Sequence, residues 1–334
     1  MKFIDQIILI FIIISVNTVF FFYYSKLSKV LNLYDLPNSS LKKHKSKAYP
    51  IGGIILYLNV LILFLLDLVI FNENIFNLNG SNLIYFFLSL SSIFFLGFID
   101  DKINLNYKKK FLILSFIIIL LLLNDTSLQI TNVKLLLVNK NFVLDYYAIF
   151  LTTFFILLFM NAFNMFDGVN LQAGIYTFIT LIFFYLGIFN IFLFIPIIFF
   201  LIFFLYFNEK KNVFLGNSGS LLISFLISYY FIKQYNLGNI IYAESIYIFM
   251  CIPGLDMFRL FIERIIKKKN PFKGDNFHLH HLSVNKLGFF KSTFLTQSLI
   301  SVTIIISLYL SIKFAIFFSL TAYILIIFFL KNIK

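Results

Sequence analysis

Eleven apolar runs, separated by short polar segments, organise this chain. They fall at about 3 to 24, 51 to 71, 83 to 99, 111 to 123, 146 to 160, 173 to 187, 190 to 207, 219 to 233, 243 to 262, 293 to 312 and 314 to 331. A membrane-spanning helix needs about 20 predominantly apolar residues. The pattern therefore predicts an all-α, polytopic integral membrane protein with about eleven transmembrane helices. The count drops to ten if either short run, 111 to 123 or 219 to 233, is a re-entrant segment. The first run begins after Lys2, exceeds a signal-peptide core in length and is followed by no small-residue cleavage site, so it is expected to stay as an anchor. With no internal repeat, and with a longest loop (263 to 292) too short and basic for an independent fold, residues 1–334 read as a single membrane domain.

Composition sharpens this picture. Of 334 residues, 61% are hydrophobic and 12% charged, about half the charged fraction of a soluble domain, which excludes an ordinary cytosolic protein. The net charge of +13 comes from 27 Lys and Arg against 14 Asp and Glu. Because these cations lie in short loops between apolar runs, they point to anionic lipid headgroups or phosphorylated substrates, not to nucleic acid. Numbered in order, the odd connections and the C-terminus hold 22 of the 27 basic residues. The positive-inside rule places those loops and the C-terminus in the cytoplasm of a bacterial inner membrane, with the N-terminus outside. Cys251 is the one cysteine, which excludes an intrachain disulfide and a cysteine-based metal cluster.

The polar chemistry collects in those cytoplasmic connections. FIDD places Asp100 and Asp101 side by side at the mouth of the third run, with Lys102, Lys108, Lys109 and Lys110 just beyond. Paired carboxylates hold Mg²⁺, a hard cation that shares itself with substrate phosphates; the plainer reading is a solvated helix end neutralised by lysines. NAFNMFDGVNLQ (161 to 172) supplies Asn161, Asn164, Asp167 and Asn170 without a basic residue, a set suited to metal coordination or to hydrogen bonding with a base or sugar. FLGNSGS (214 to 220) enters a helix from a Gly-Ser turn whose N–H groups suit an anion, although it lacks the Walker A spacing. His44 lies in HKSKAYPIGG, and His278, His280 and His281 lie in GDNFHLHHL. Zinc prefers wider spacing or added cysteines, so histidines beside Lys267, Lys268, Lys269 and Lys273 fit a diphosphate better.

Taken together and in order, these stretches resemble the polyprenyl-phosphate N-acetylhexosamine-1-phosphate transferases, the family of WecA, TagO and MraY, and the WecA branch most. His44, Lys47, Pro50, Gly52 and Gly53 match H…K..P..GG; Gly97, Asp100 and Asp101 match G..DD; Asn161, Ala162, Asn164, Asp167 and Gly168 match NA.N..DG. FLGNSGS stands for FMGD.GS, and Asp275, His278, His280, His281 and Leu282 for D..H.HHL. There are two departures: Asn217 where the family usually carries an Mg²⁺-binding Asp, and Asn170 with Leu171 where Asp and Gly are frequent.

The resemblance implies attack of a polyprenyl-phosphate oxygen, that of undecaprenyl phosphate, on a UDP-N-acetylhexosamine. UMP leaves and a lipid-linked diphosphate sugar remains, the opening step of a lipid-linked glycan such as a cell-wall polymer, O-antigen or lipopolysaccharide. It implies Mg²⁺, or Mn²⁺ in its place, at Asn164 and Asn217; phosphate contacts from His44, Lys47, His278, His280 and His281; uracil contacts from Asn170, Asn208 and Phe214; and proton handling by Asp100, Asp101 and Asp167. It leaves room for a homo-oligomer. Two other readings stand beside it: a lipid or polyprenyl-linked substrate transporter, for which the in-span charges are Asp67, Asp256, Arg259 and Glu263, and a non-catalytic relative, motivated by Asn217.

Overall fold

A computed structural model of the chain describes residues 3–35, 47–71, 73–76, 78, 80–187, 191–271 and 276–332. The described residues form thirteen α-helices and one two-stranded hairpin: α1 (Phe3–Phe22), α2 (Tyr24–Leu31), α3 (Gly52–Leu66), α4 (Gly80–Ile103), α5 (Tyr107–Asn124), β1 (Asn132–Leu135), β2 (Lys140–Val143), α6 (Ala148–Phe166), α7 (Gln172–Gly187), α8 (Ile191–Lys211), α9 (Gly216–Asn236), α10 (Ala243–Ile266), α11 (Leu279–Leu287), α12 (Phe289–Tyr309) and α13 (Ile312–Asn332). Each of the eleven apolar runs falls mainly on one helix. Among the described residues, eight helices are long and apolar enough to cross a membrane, so the chain is an all-α, multi-pass membrane protein. Apolar side chains such as Phe314, Phe317 and Phe328 stand exposed along α13, as lipid-facing positions do when the solvent is hydrocarbon.

The connections hold more structure than the polar punctuation suggests. Helix α2 occupies the segment read as the start of the first loop, and α11 carries the histidines. Between α5 and α6, β1 and β2 pair antiparallel with Asn132 opposite Val143. Asp67, one of the in-span charges, is buried. Its carboxylate accepts the N–H groups of Glu73 (3.2 Å) and Ile75 (2.8 Å) and so fixes the chain as it leaves α3.

Two compact units divide the chain. The first comprises Met1–Asn124 and Thr177–Ile223, the second Asp125–Tyr176 and Ser224–Lys334. In the first, α3 packs on α1, α4 and α8, and α5 packs on α4. Lipid provides no hydrophobic drive between helices, so polar and aromatic pairs lock such contacts. Asn17 on α1 and Asn59 on α3 exchange reciprocal side-chain hydrogen bonds of 2.8 and 3.1 Å, and Tyr57 stacks on Phe94 with ring centres 4.1 Å apart.

In the second unit, α10 packs against α6, α12 and α13, and α11 packs against α12. Gln172 ties the start of α7 to α12: its side-chain oxygen accepts from Thr296 (3.0 Å) and its backbone oxygen from Gln297 (2.8 Å).

The charge asymmetry yields a topology test. In a Cys251→Ser background, which removes a buried thiol, Lys268→Cys is expected to resist a membrane-impermeant thiol reagent in intact cells, while Lys140→Cys is labelled. Both positions are exposed. The reverse labelling inverts the orientation.

Candidate functional site

In the first unit three of the motifs meet. Tyr49 N–H donates to Asn212 O, Phe214 N–H to Tyr49 O, Gly52 N–H to Phe214 O and Gly53 N–H to Leu215 O, each at 2.9 Å. The P..GG and FLG segments thus form a short backbone ladder ahead of α3 and α9. Glycine permits the close approach: a β-carbon on Gly97 of α4 would lie 2.5 Å from Ser218 Cα, and one on Gly53 would collide with Gly219 and the Ser218 hydroxyl. Asn208 is buried and donates to Val213 O at 2.8 Å, closing the turn from α8 to α9 that presents the half-buried Phe214.

The DD pair lies inside α4. Asp100 is 5% exposed, so the solvated helix end considered from the sequence does not describe it. Its Oδ1 accepts from Leu105 N–H at 2.7 Å and its Oδ2 from Lys110 Nζ at 2.8 Å. The same ammonium donates to Asn217 Oδ1 at 3.2 Å. Asp101 points at the start of α9, accepting Asn217 N–H (2.7 Å), Ser218 N–H (3.0 Å) and Ser218 Oγ–H (2.8 Å). The two N–H groups are first-turn donors that no helix can satisfy internally, and an anion there also meets the positive end of the helix dipole. Gly216, at φ +74°, makes the entry turn; a β-carbon there would meet Asp101 Oδ2 at 2.7 Å.

A divalent cation must be tested against this set. Asn217 offers one neutral oxygen, already shared with Lys110; the Lys110 ammonium sits between it and Asp100, whose other oxygen accepts from Leu105; both oxygens of Asp101 are turned to the start of α9. No cluster of three or more His, Cys, Asp or Glu placed to hold a metal occurs among the described residues. Within this unit the residues therefore fit an ammonium, and as arranged they do not fit Mg²⁺.

Lys47, exposed, lies with Nζ 3.2 Å from the centre of the Tyr34 ring. Backbone hydrogen bonds of 3.0 Å in both directions between Asp35 and Ala48 pin the ends of the segment bearing His44. His44 itself lies outside the described residues, as does Asp275.

The second unit gathers the other two motifs. Asn161 and Asn164 lie on the last turns of α6, and Asp167 ends the helix, so the three follow each other at intervals of three along one side. Asn161 donates back to Leu157 O at 2.7 Å; Asn164, Asp167 and Asn170 are half-buried. The DG turn has a steric reason: a side chain on Gly168 would strike the His280 ring. His278, His280 and His281 are all buried. His278 lies nearly parallel to His280 at 9° with centres 5.4 Å apart, and His280 and His281 are 4.3 Å apart.

Asp256 of α10 anchors this group, and the sequence marks it only as an in-span charge. At 3% exposure, it lies 2.8 Å from His278 Nδ1 and accepts from Leu279 N–H (3.0 Å), Arg259 Nη2 (2.8 Å) and Tyr323 Oη (2.8 Å). Arg259 continues to Glu263 at 2.9 Å and to Phe277 O at 2.7 Å. An ionisable residue inside an apolar run is a functional candidate by default, and that signal singles out Asp256. The in-span charges of α10 are thus consumed by one network around the histidine motif.

Residues 83–234 match the family described as Glycosyl transferase family 4. A Thermotoga maritima protein named undecaprenyl-phosphate alpha-N-acetylglucosaminyl 1-phosphate transferase is 28% identical over 293 residues, 87% of this chain and 84% of that protein. The protein of the same name from Escherichia coli K12 is 26% identical over 289 residues, 82% of this chain and 74% of its own length. One from Haemophilus influenzae is 34% identical over 79 residues, 23% of this chain and 22% of its own. The resemblance drawn from the motifs is borne out.

Two outcomes follow from the first unit. Asp101→Ala leaves three donors at the start of α9 without their acceptor, so thermal unfolding in detergent is expected to show a loss of about 2 kcal/mol; unchanged unfolding would remove the capping role. Asn217→Asp adds a charged oxygen beside Lys110, and Mn²⁺ binding followed by electron paramagnetic resonance is expected to tighten about tenfold, since added ligand charge raises affinity. Equal binding by both proteins would show that position 217 does not meet a metal.

Proposed function

We propose that this protein transfers N-acetylhexosamine-1-phosphate from a UDP-sugar to undecaprenyl phosphate, releasing UMP and opening the synthesis of a lipid-linked glycan. The observation that carries the reading is that the five polar stretches occur in order on a chain similar, over 87% of its length, to a protein named for transfer to that lipid. The site faces the cytoplasm, where 22 of the 27 basic residues lie by the positive-inside rule.

In the reaction, a phosphate oxygen of the lipid forms a bond to the sugar-linked phosphorus of the donor, and the bond from that phosphorus to the bridging oxygen breaks, so UMP departs with the bridging oxygen. Such transfer needs positioning and charge neutralisation more than covalent chemistry by the protein. Asp100 aims the Lys110 ammonium through a 2.8 Å ion pair, which suits orientation of a phosphate better than proton removal. Asp101 acts by holding α9. The histidines of α11 and Lys47 contact phosphate oxygens, as does His44; Phe214 stacks on the uracil; Asn164 and Asn170 donate amide hydrogens to the donor, and Asp167 handles a proton. Because the residues around Asn217 do not fit a divalent cation as arranged, no step is assigned to Mg²⁺ or Mn²⁺.

The test is direct. Purified protein incubated with undecaprenyl phosphate and a panel of UDP-sugars, each with and without Mg²⁺, is expected to release UMP with a UDP-N-acetylhexosamine. No UMP from any donor, together with lipid movement across vesicles by the reconstituted protein, would replace this reading with the transporter.

A further inference from the structure

We propose that Asp256 is a positioning residue that holds a proton on His278 Nδ1, leaving Nε2 as the nitrogen that takes up a proton and, once protonated, donates to a substrate phosphate oxygen. The inference rests on the transferase reading for the identity of that phosphate, but its geometry does not. The two oxygens of Asp256 have different partners. Oδ1 accepts from Leu279 N–H, Arg259 Nη2 and Tyr323 Oη, while Oδ2 lies 2.8 Å from His278 Nδ1.

Three donors on one oxygen, one of them a guanidinium, define a carboxylate in its ionised, acceptor-only form. The hydrogen of the 2.8 Å contact therefore belongs to the imidazole. Which ring nitrogen works on a ligand is set by the hydrogen bond that the other makes, so this contact leaves Nε2 as the nitrogen that can work on a ligand.

The surroundings hold the carboxylate still. Arg259 Nε donates to Tyr323 Oη at 2.8 Å, and that hydroxyl donates onward to Asp256. Glu263 bridges Arg259 and Lys331, each at 2.9 Å, which fastens the C-terminal end of α13 to the same network. The ring of His278 is buried and stacked on His280, so a change in its tautomer or tilt reaches the next histidine. Asp256 also caps α11, because Leu279 is the first residue of that helix and the side chain of His278 makes no capping bond of its own. One carboxylate thereby sets both where α11 begins and which face of His278 is presented.

A purely structural role for Asp256 predicts the same capping bond but no fixed tautomer, and magnetic resonance separates the two. The chain holds four histidines, so ring-¹⁵N-labelled full-length protein in detergent gives few signals, with His278 assigned by its loss in His278→Gln. In a pH series, the wild-type two-bond correlation spectrum of the neutral His278 ring is expected to show the Nδ1–H form alone. An Nε2–H signal for that neutral ring overturns the proposal without need of any variant. Asp256→Asn is expected to mix the two tautomers and to lower UMP release at least tenfold, about the scale of losing an orienting partner. A locked tautomer that survives in Asp256→Asn also overturns it. Should Asp256→Asn fail to fold, Tyr323→Phe removes one donor to the same carboxylate and is expected to loosen the lock partially; an unchanged His278 signal there, too, counts against the proposal. Fixed and variant tautomers as expected, with no UMP from the wild type, leave the Asp256–His278 pair standing and remove the transferase reading.

Discussion

The first turn of an α-helix exposes N–H groups with no partner inside the helix, and in a protein with this little water around it each must find an acceptor. Two helices that carry site residues meet this constraint in the same way. Helix α9 begins against Asp101 of α4, which takes Asn217 N–H and Ser218 N–H; α11 begins against Asp256 of α10, which takes Leu279 N–H. In neither case does the cap come from the residue before the helix. A long-range carboxylate makes the start of the helix depend on the neighbouring helix being in place, so local structure and helix packing form together. Asn217 in one unit, and His280 and His281 in the other, inherit their positions from that dependence.

Glycines in the motifs follow from the same crowding. If Asp101 is to reach the backbone of α9, α4 must come close, and Gly97 allows it where a methyl group would overlap Ser218. Gly53 does the same for α3, and the backbone ladder between residues 49–53 and 212–215 fixes the register of the approach. In the second unit Gly168 yields its side-chain space to the His280 ring. Motif residues that look like chemistry in a sequence thus divide into those that present functional groups and those that clear space for them.

How much of this was legible in the chain depends on what each signal encodes. Apolar runs report burial in lipid, and all eleven fall on helices; they say little about a hairpin such as β1–β2 or a short helix such as α11, whose order comes from partners distant in sequence. Motif order pointed to the class that the similar proteins share, because five spaced matches constrain one another. Roles within the motifs were less legible. Asp100 and Asp101 are chemically identical neighbours, yet adjacent positions on a helix point about 100° apart; one faces Lys110 and the other the start of α9. Asp256 was visible only as an isolated charge, since its partners lie 3, 22, 23 and 67 residues away.

Asn217 is best understood through charge balance. Lys110 faces one carboxylate and one amide oxygen, a neutral set within bonding distance. A carboxylate at 217 would leave this set with an excess negative charge, which a divalent ion then relieves. With an amide there, the ammonium alone balances Asp100, and a second cation brought to the same oxygens must first displace Lys110 or repel it. The replacement of one oxygen-bearing group by another of nearly equal size therefore changes which cation the pocket favours without changing its shape, and it does so through an electrostatic difference that packing does not register.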